Sequence, residues 1–242
     1  MSVTTCILLA GGFGTRLRDA VPGIPKCLAP VAGKPFLEVQ LAQLSSQGMG
    51  RFVLALGYLA EQVIDVAKRL ERAFPLEWIV EPRPLGTGGA TLFAMHGGGL
   101  SEAVIANADT FVQAELRGLL APLRRDDGED VRMIAVRSQD ASRFGRVVVE
   151  AGKARAFIVA GSPRCALINA GMYRVHRDAF ANYRPGQGFS LEADVIADLA
   201  RGGGVAAEVV TGTFTDIGVP QDYFGLCERF GAAPEGLKCS TR

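Results

Sequence analysis

Histidine is nearly missing, with two in 242 residues, and neither stands in a pattern that catalysis would use. His96 lies beside Gly97-Gly98-Gly99 and His176 within Arg174-Val175-His176-Arg177, so both read as surface or packing residues. Cysteine is sparse as well. Cys6, Cys27, Cys165, Cys227 and Cys239 are odd in number, far apart and without a C-x-x-C pair, which argues against both a disulfide framework and a zinc site. Charge of one sign is not in excess: a formal net charge of +1 gives no overall attraction to nucleic acid, and no basic run interleaved with aromatics occurs. No apolar run approaches the roughly 20 residues of a membrane helix, so no membrane partner is expected. Residues 1–5 carry no positive n-region, which leaves the cytoplasm as the expected location. No hexapeptide repeat is present, which excludes a left-handed β-helix domain.

What is present is the patterning of one large α/β domain over residues 1–242, with 48% hydrophobic and 21% charged residues, as soluble globular proteins have. The chain is organised around Leu8-Leu9-Ala10-Gly11-Gly12-Phe13-Gly14-Thr15-Arg16-Leu17, followed by Pro25-Lys26. An apolar run from Cys6 to Ala10 that breaks into glycines predicts a buried strand opening into a loop whose backbone N–H groups can face an anion. Glycine lets backbone approach a ligand without an obstructing Cβ. Arg16 adds a planar donor fork and Lys26 a second cation, a set suited to a triphosphate. Two other phosphate loops are excluded. A dinucleotide fingerprint needs a third glycine where Leu17 stands, and in a Walker A reading of Gly33-Lys34 the first glycine is Leu28 and Pro35 replaces the hydroxyl residue. A glycine-rich turn without a ligand remains the alternative.

Further along, Pro35 at N1 opens a predicted helix with Leu37, Leu41 and Leu44 on one face, closed by Gly48. A strand over 52–56, a helix from Leu59 to Phe74 stopped by Pro75, and a strand over 76–80 then imply βαβ units and a doubly wound, mostly parallel sheet. Ligands bind such sheets at the carboxyl ends of the strands. Two segments fall there: Glu81-Pro82-Arg83-Pro84-Leu85-Gly86-Thr87-Gly88-Gly89-Ala90, and Val104 to Asn107 running into Ala108-Asp109. The second half, about 131–230, changes character. Residues 131–137 read as a strand, and 147–149 and 154–159 as a hairpin around Ala151-Gly152, suggesting a small antiparallel flap that holds a second substrate. Ser190 is a candidate N-cap for a helix burying Leu191, Val195 and Leu199. Phe214 to Asp216 ends a strand before a helix beginning at Pro220, with Tyr223, Phe224, Cys227 and Phe230 on its apolar side. The tail from about residue 231 has no periodicity.

Gly11-Gly12-Phe13-Gly14-Thr15-Arg16-Leu17 with Pro25-Lys26 resembles the signature of the sugar-1-phosphate nucleotidyltransferases. The longer stretch Arg16-Leu17-Arg18 through Leu28-Ala29-Pro30-Val31-Ala32-Gly33-Lys34-Pro35 is similar to the D-glycero-D-manno-heptose 1-phosphate guanylyltransferase branch. The resemblance runs from about Cys6 to Tyr223 and implies a Rossmann-like nucleotidyltransferase fold, with a nucleotide-binding half to about residue 130. It implies transfer of a guanylyl group from GTP to heptose 1-phosphate, releasing pyrophosphate, for capsule or other surface polysaccharide synthesis. It also admits a homo-oligomer. Implied nucleotide-binding positions are Leu9, Ala10, Gly11, Gly12, Gly14, Thr15, Glu81, Gly86, Thr87 and Asn107, with Glu81 reading the base edge and Arg16 and Lys26 catalytic. Asp109 and Asp216 match the positions that hold Mg²⁺, and Gly145, Asn169, Gly171 and Glu192 match the sugar segments.

The sequence departs from the pattern twice. Ala108 stands where relatives have glycine, and Phe157-Ile158 is followed by Val159-Ala160 where relatives carry a lysine that grips the sugar phosphate. Arg164, just past Gly161-Ser162-Pro163, is the expected replacement, its loop bringing a long side chain back over the same pocket, and Arg146 in the neighbouring sugar segment is the other candidate. The alternatives kept open are a mannose or glucose 1-phosphate nucleotidyltransferase and a nucleotide-binding regulatory protein without catalysis.

Overall fold

A computed structural model describes residues 3–17, 20–138, 144–158 and 166–231. Strand β1 (Thr5–Ala10) is the buried run read from the sequence. A two-residue ladder follows, β2 (Pro30–Val31) against β3 (Lys34–Pro35), and then α1 (Phe36–Ser46), which buries Phe36, Leu37, Leu41 and Leu44. Pro35 is the N-cap of α1 rather than its N1 residue, because its φ/ψ of −57° and 138° are extended, in register with Pro30 of the ladder. Next come β4 (Arg51–Leu56), α2 (Ala60–Leu70), β5 (Leu76–Val80) and α3 (Gly86–Gly97). Helix α2 stops at Leu70, short of Phe74, whose ring packs edge-on against Phe52 of β4 at 6.3 Å. Strands β6 (Glu102–Asn107) and β7 (Thr110–Gln113) and a short α4 (Arg117–Leu120) complete the first half.

The second half holds β8 (Val131–Ser138), β9 (Arg146–Glu150), β10 (Lys153–Ile158) and β11 (Ala166–His176). It continues through a π-helical turn (Leu191–Ile196) into α5 (Ala197–Arg201), then β12 (Val205–Val210), β13 (Thr213–Asp216) and α6 (Pro220–Arg229). The turn between β9 and β10 is Ala151-Gly152, with φ of 48° and 73°, the left-handed pair that a two-residue hairpin needs. Ser190 caps the π turn as read, its hydroxyl accepting from the Ala193 N–H at 3.1 Å. His176 has a similar task, its Nδ1 accepting from the Asp178 N–H.

Among the described residues nine strands form one sheet in the order β5-β4-β1-β6-β11-β8-β12-β10-β9. Strands β5, β4, β1 and β6 are mutually parallel, each reached through a helical crossover. Beyond β6 the sheet is mixed rather than mostly parallel, since β11 runs antiparallel to both β6 and β8 while β12 runs parallel to β8. The antiparallel hairpin is not a separate flap: β10 meets β12 at Lys153↔Ala206 and β9 meets β11 at Ile168↔Arg146. Among the described residues each of those joins is a single register pair, and β11, β8, β12, β10 and β9 close into a ring. Apolar clusters cover both faces of the sheet, as a sheet fed by crossovers requires. One includes Leu8, Leu54, Val104 and Leu41 and the other Ile7, Ile105, Met95 and Ile196. A third, around Leu17, Phe36, Phe111, Ile217 and Tyr223, fastens α6 and the end of β13 beside the glycine loop. Among the described residues no helix is long and apolar enough to cross a membrane.

Candidate active site

The carboxyl ends of β1 and β6 lie side by side because Leu9 and Asn107 are register partners. The glycine loop after β1 and the Ala108-Asp109 turn after β6 therefore face one another. Helix α1 secures that turn. Gln40, buried on the same face as Leu37, Leu41 and Leu44, donates from Nε2 to Asn107 O at 2.8 Å and Thr110 O at 2.9 Å. A polar residue on an apolar helix face is the sequence signal that could have found it. Ala108 fits without strain: it is buried, it is not among the residues with positive φ, and its N–H donates to Leu9 O at 3.1 Å. The glycine it replaces is not required by this backbone.

A cavity of about 330 Å³ opens at this edge, and Leu9, Gly11, Gly12, Glu81, Gly86, Thr87, Asn107 and Asp109 all line it. Phe13 forms part of its wall and packs on Tyr58 with ring centroids 5.2 Å apart; the sequence reading gave neither aromatic a place. Glu81 holds its position by accepting at Oε2 from the Leu85 N–H at 2.7 Å, and burial pushes its carboxyl above the ordinary value. A Cβ at Gly11 would come within 2.5 Å of Glu81 Oε1, which is why backbone without a side chain is needed there. Ala10 borders a smaller cleft between Lys26 and Asp109, and Gly14, with φ of 61°, packs over the Lys26 stem. Thr15 stands exposed on the loop.

Two acids converge below the loop. Strand β13 pairs antiparallel with β7, Asp216 opposite Thr110, and the Ile217 N–H donates to Asp109 O at 2.9 Å. The Asp216 carboxyl is raised above its ordinary range, first by burial and then by the neighbouring Asp109 charge, while the Gly218 N–H, Lys26 and Arg16 oppose that shift. Lys26 Nζ donates to Asp109 Oδ2, and Arg16 stands 3.8 Å from Asp216 with a side chain 65% exposed. Both cations read as phosphate ligands thus stand on the carboxylates in this structure. Among the described residues no group of three or more His, Cys, Asp or Glu could enclose a metal ion. Two carboxylates beside a glycine loop are a donor set that suits Mg²⁺, which takes one or two carboxylates together with phosphate oxygens.

The sugar-side residues form one hydrogen-bonded chain. The register of β11 against β8 shifts between Asn169 and Tyr173, and this irregularity turns Asn169 inward, its Oδ1 accepting from the Gly171 N–H at 3.0 Å and its Nδ2 donating to Tyr173 Oη at 2.6 Å. Tyr173, fully buried and unnoticed in the sequence, donates to Glu192 Oε1 at 3.2 Å; burial keeps its phenol protonated. Gly171, with φ of 66°, comes close to Asn107, where a Cβ would lie 2.5 Å from Nδ2. The Gly145 carbonyl accepts from the Asn169 N–H at 3.2 Å. Arg146 is half-buried with Nε lacking a hydrogen-bond partner. Arg164 and the segment 159–160 lie outside the described residues.

The nucleotidyl transferase family model matches residues 5–230. A D-glycero-alpha-D-manno-heptose 1-phosphate guanylyltransferase of Campylobacter jejuni subsp. jejuni serotype O:2 is 32% identical over 222 residues, covering 90% of this chain and 96% of that one. Among solved structures, HddC from Yersinia pseudotuberculosis complexed with GMP-PN superposes with a TM-score of 0.80 at 30% identity, over 94% of this chain and 100% of the other. An apo UDP-glucose pyrophosphorylase shares the fold, with a TM-score of 0.74 at 16% identity over 95% of this chain and 98% of that one.

Proposed function

This chain belongs to the nucleotidyl transferase family, and we propose that it is a sugar-1-phosphate guanylyltransferase that joins GTP to D-glycero-alpha-D-manno-heptose 1-phosphate, giving GDP-heptose and pyrophosphate. The observation that carries the guanine assignment is the Glu81 carboxylate on the wall of the cavity, held by the Leu85 N–H and with Oε1 toward Gly11. Guanine presents two adjacent donors on its pairing edge, N1–H and the 2-amino group, and an ionised carboxylate is an acceptor-only partner for both. Relatives that act on heptose 1-phosphate support the sugar assignment.

In this reading the glycine loop receives the triphosphate on backbone N–H groups, and Asp109 and Asp216 hold Mg²⁺, which supplies charge neutralisation at the phosphates when bound. Lys26 and Arg16, now on the carboxylates, exchange those contacts for phosphate oxygens. A sugar phosphate is mostly ionised at neutral pH, its second pKa being about 6, so its oxygen attacks the α-phosphorus in line without a general base and pyrophosphate departs. Positioning and charge stabilisation are what such transfers ask of a protein. The Arg146 Nε, buried and unpaired, is a donor for the incoming phosphate, in place of the lysine that relatives carry. The product would feed surface polysaccharide synthesis, capsule included, from the cytoplasm.

The test is pyrophosphate release across a panel of four nucleoside triphosphates and heptose, mannose and glucose 1-phosphates, repeated with Glu81→Gln. GTP with heptose 1-phosphate should be turned over fastest, and Glu81→Gln should lose about tenfold in preference for GTP over ATP, the size of one charged hydrogen bond. Faster turnover of mannose or glucose 1-phosphate would reassign the sugar. GTP binding without pyrophosphate release from any pair would establish a regulatory, non-catalytic protein.

A further inference from the structure

The first turn of α3 is docked on the segment that precedes the π turn, not left open to an anion. The Gly88 and Gly89 N–H groups donate to Phe189 O at 3.0 and 3.2 Å, and the Phe189 N–H donates to Leu85 O at 2.9 Å. A Cβ at Gly88 would lie 2.4 Å from the Phe189 ring, and one at Gly89 would lie 2.3 Å from Gln187 O. The base loop and the sugar segment therefore touch backbone to backbone. Thr87 sits in this contact. Its hydroxyl accepts from the Leu191 N–H at 2.9 Å and donates to Glu192 Oε2 at 2.6 Å. A threonine hydroxyl has one proton, and with Leu191 supplying a donor to its oxygen, that proton is directed at Glu192.

Glu192 is thereby nearly saturated. Oε2 accepts from Thr87 and from the Ser190 hydroxyl at 3.3 Å, and Oε1 from Tyr173 at 3.2 Å. A carboxylate offers about four lone-pair sites, which leaves about one for a ligand hydroxyl, in a direction fixed by the three donors. We propose that Thr87 is a positioning residue rather than a nucleotide ligand: its hydroxyl aims Glu192 at the sugar and couples that acceptor to the loop that holds the base. This inference rests on the guanylyltransferase reading above. Because Thr87 also lines the nucleotide cavity, a nucleotide that orders the loop orders Glu192 with it, and linkage makes the effect reciprocal.

The test compares Thr87→Val, which keeps the shape and removes the hydroxyl, with Thr87→Ser, which keeps the hydroxyl. Thr87→Val should raise the KM for heptose 1-phosphate about tenfold, leave the KM for GTP within about twofold, and be rescued by Thr87→Ser. Calorimetry of heptose 1-phosphate with and without a non-hydrolysable GTP analogue should show tightening of at least about fivefold in the unmutated protein and less than twofold in Thr87→Val. The proposal is overturned if the sugar-phosphate KM stays within twofold, if the GTP KM alone rises, if Thr87→Ser behaves as Thr87→Val, or if the analogue does not tighten binding in the unmutated protein. Absence of turnover by the unmutated protein with any substrate pair is instead failure of the guanylyltransferase reading, and it shows before a variant is made.

Discussion

Replacing Asp216 by asparagine should stabilise the metal-free protein while destroying its activity. The Asp216 side chain is 17% exposed, and burial together with Asp109 lifts its carboxyl above the ordinary value of 3.8. Of the two cations near it, Lys26 is engaged by Asp109, and Arg16 at 3.8 Å is 65% exposed, a geometry in which an ion pair contributes about 0–1 kcal/mol. Asparagine keeps a carbonyl oxygen for the Gly218 N–H, now 2.6 Å from Oδ1, so the substitution removes the charge and not the hydrogen bond. The net gain should be about 1 kcal/mol, within the range of single stabilising changes, or a Tm rise of about 2–4 °C for a chain of this length. Its sign follows from linkage. Below 3.8 the acid is neutral whether folded or unfolded and the two proteins should melt together. As pH rises from 3.8 to the elevated folded value, the unfolded chain releases its proton first and the advantage of asparagine grows, reaching its plateau above the folded value. Thermal unfolding followed by circular dichroism in chelator, from below 3.8 up to neutral pH, measures this. Mg²⁺ with a GTP analogue should reverse the order by stabilising the unmutated protein alone. A variant that melts below the unmutated protein in chelator at neutral pH would refute the argument.

Asp109→Ala should abolish turnover, a loss of several kcal/mol of transition-state stabilisation, with circular dichroism unchanged; near-normal Mg²⁺-dependent activity would remove Asp109 from the site. Arg16→Ala should lower kcat on the order of 10²-fold with a smaller change in the KM for GTP, since charge accumulates on the departing pyrophosphate, and an effect confined to KM would limit Arg16 to ground-state binding. The KM for GTP should rise as pH falls toward the Glu81 pKa, which burial holds above 4.5, because protonation removes an acceptor from the guanine edge; Glu81→Gln should lack that limb.

The parallel half of the fold was legible because its strands are buried on both faces and its helices carry apolar stripes, signals that survive in a single sequence. The places of Asp109 and Asp216 at strand ends were legible too, Asp109 just past the apolar β6 and Asp216 as the last residue of β13, while their pairing as metal ligands came from the resemblance alone. What escaped were relations between distant residues. Thr87 lines the cavity its loop suggested, but the reach of its hydroxyl to Glu192, 105 positions away, is a product of the fold. Tyr173 was given no role from the sequence, and the shifted register of β11 is what points its hydroxyl at Asn169 and Glu192. The hairpin was read correctly as far as its turn, but turn chemistry is local and says nothing of which strands the hairpin joins.

The way that hairpin is joined has a consequence for how the molecule breathes. Strand β1 shares six register pairs with β4 and four with β6, whereas among the described residues β10 and β9 reach the rest of the sheet through one pair each. Segments with few cross-links open at lower free energy than the cooperative core. In amide exchange, the links at Lys153 and Ile168 should therefore exchange ahead of β1 and β6, unzipping the ring at its seams while the β5-β4-β1-β6 block stays protected. The same protein would then offer a nucleotide a preset wall and its second substrate a wall that opens and recloses.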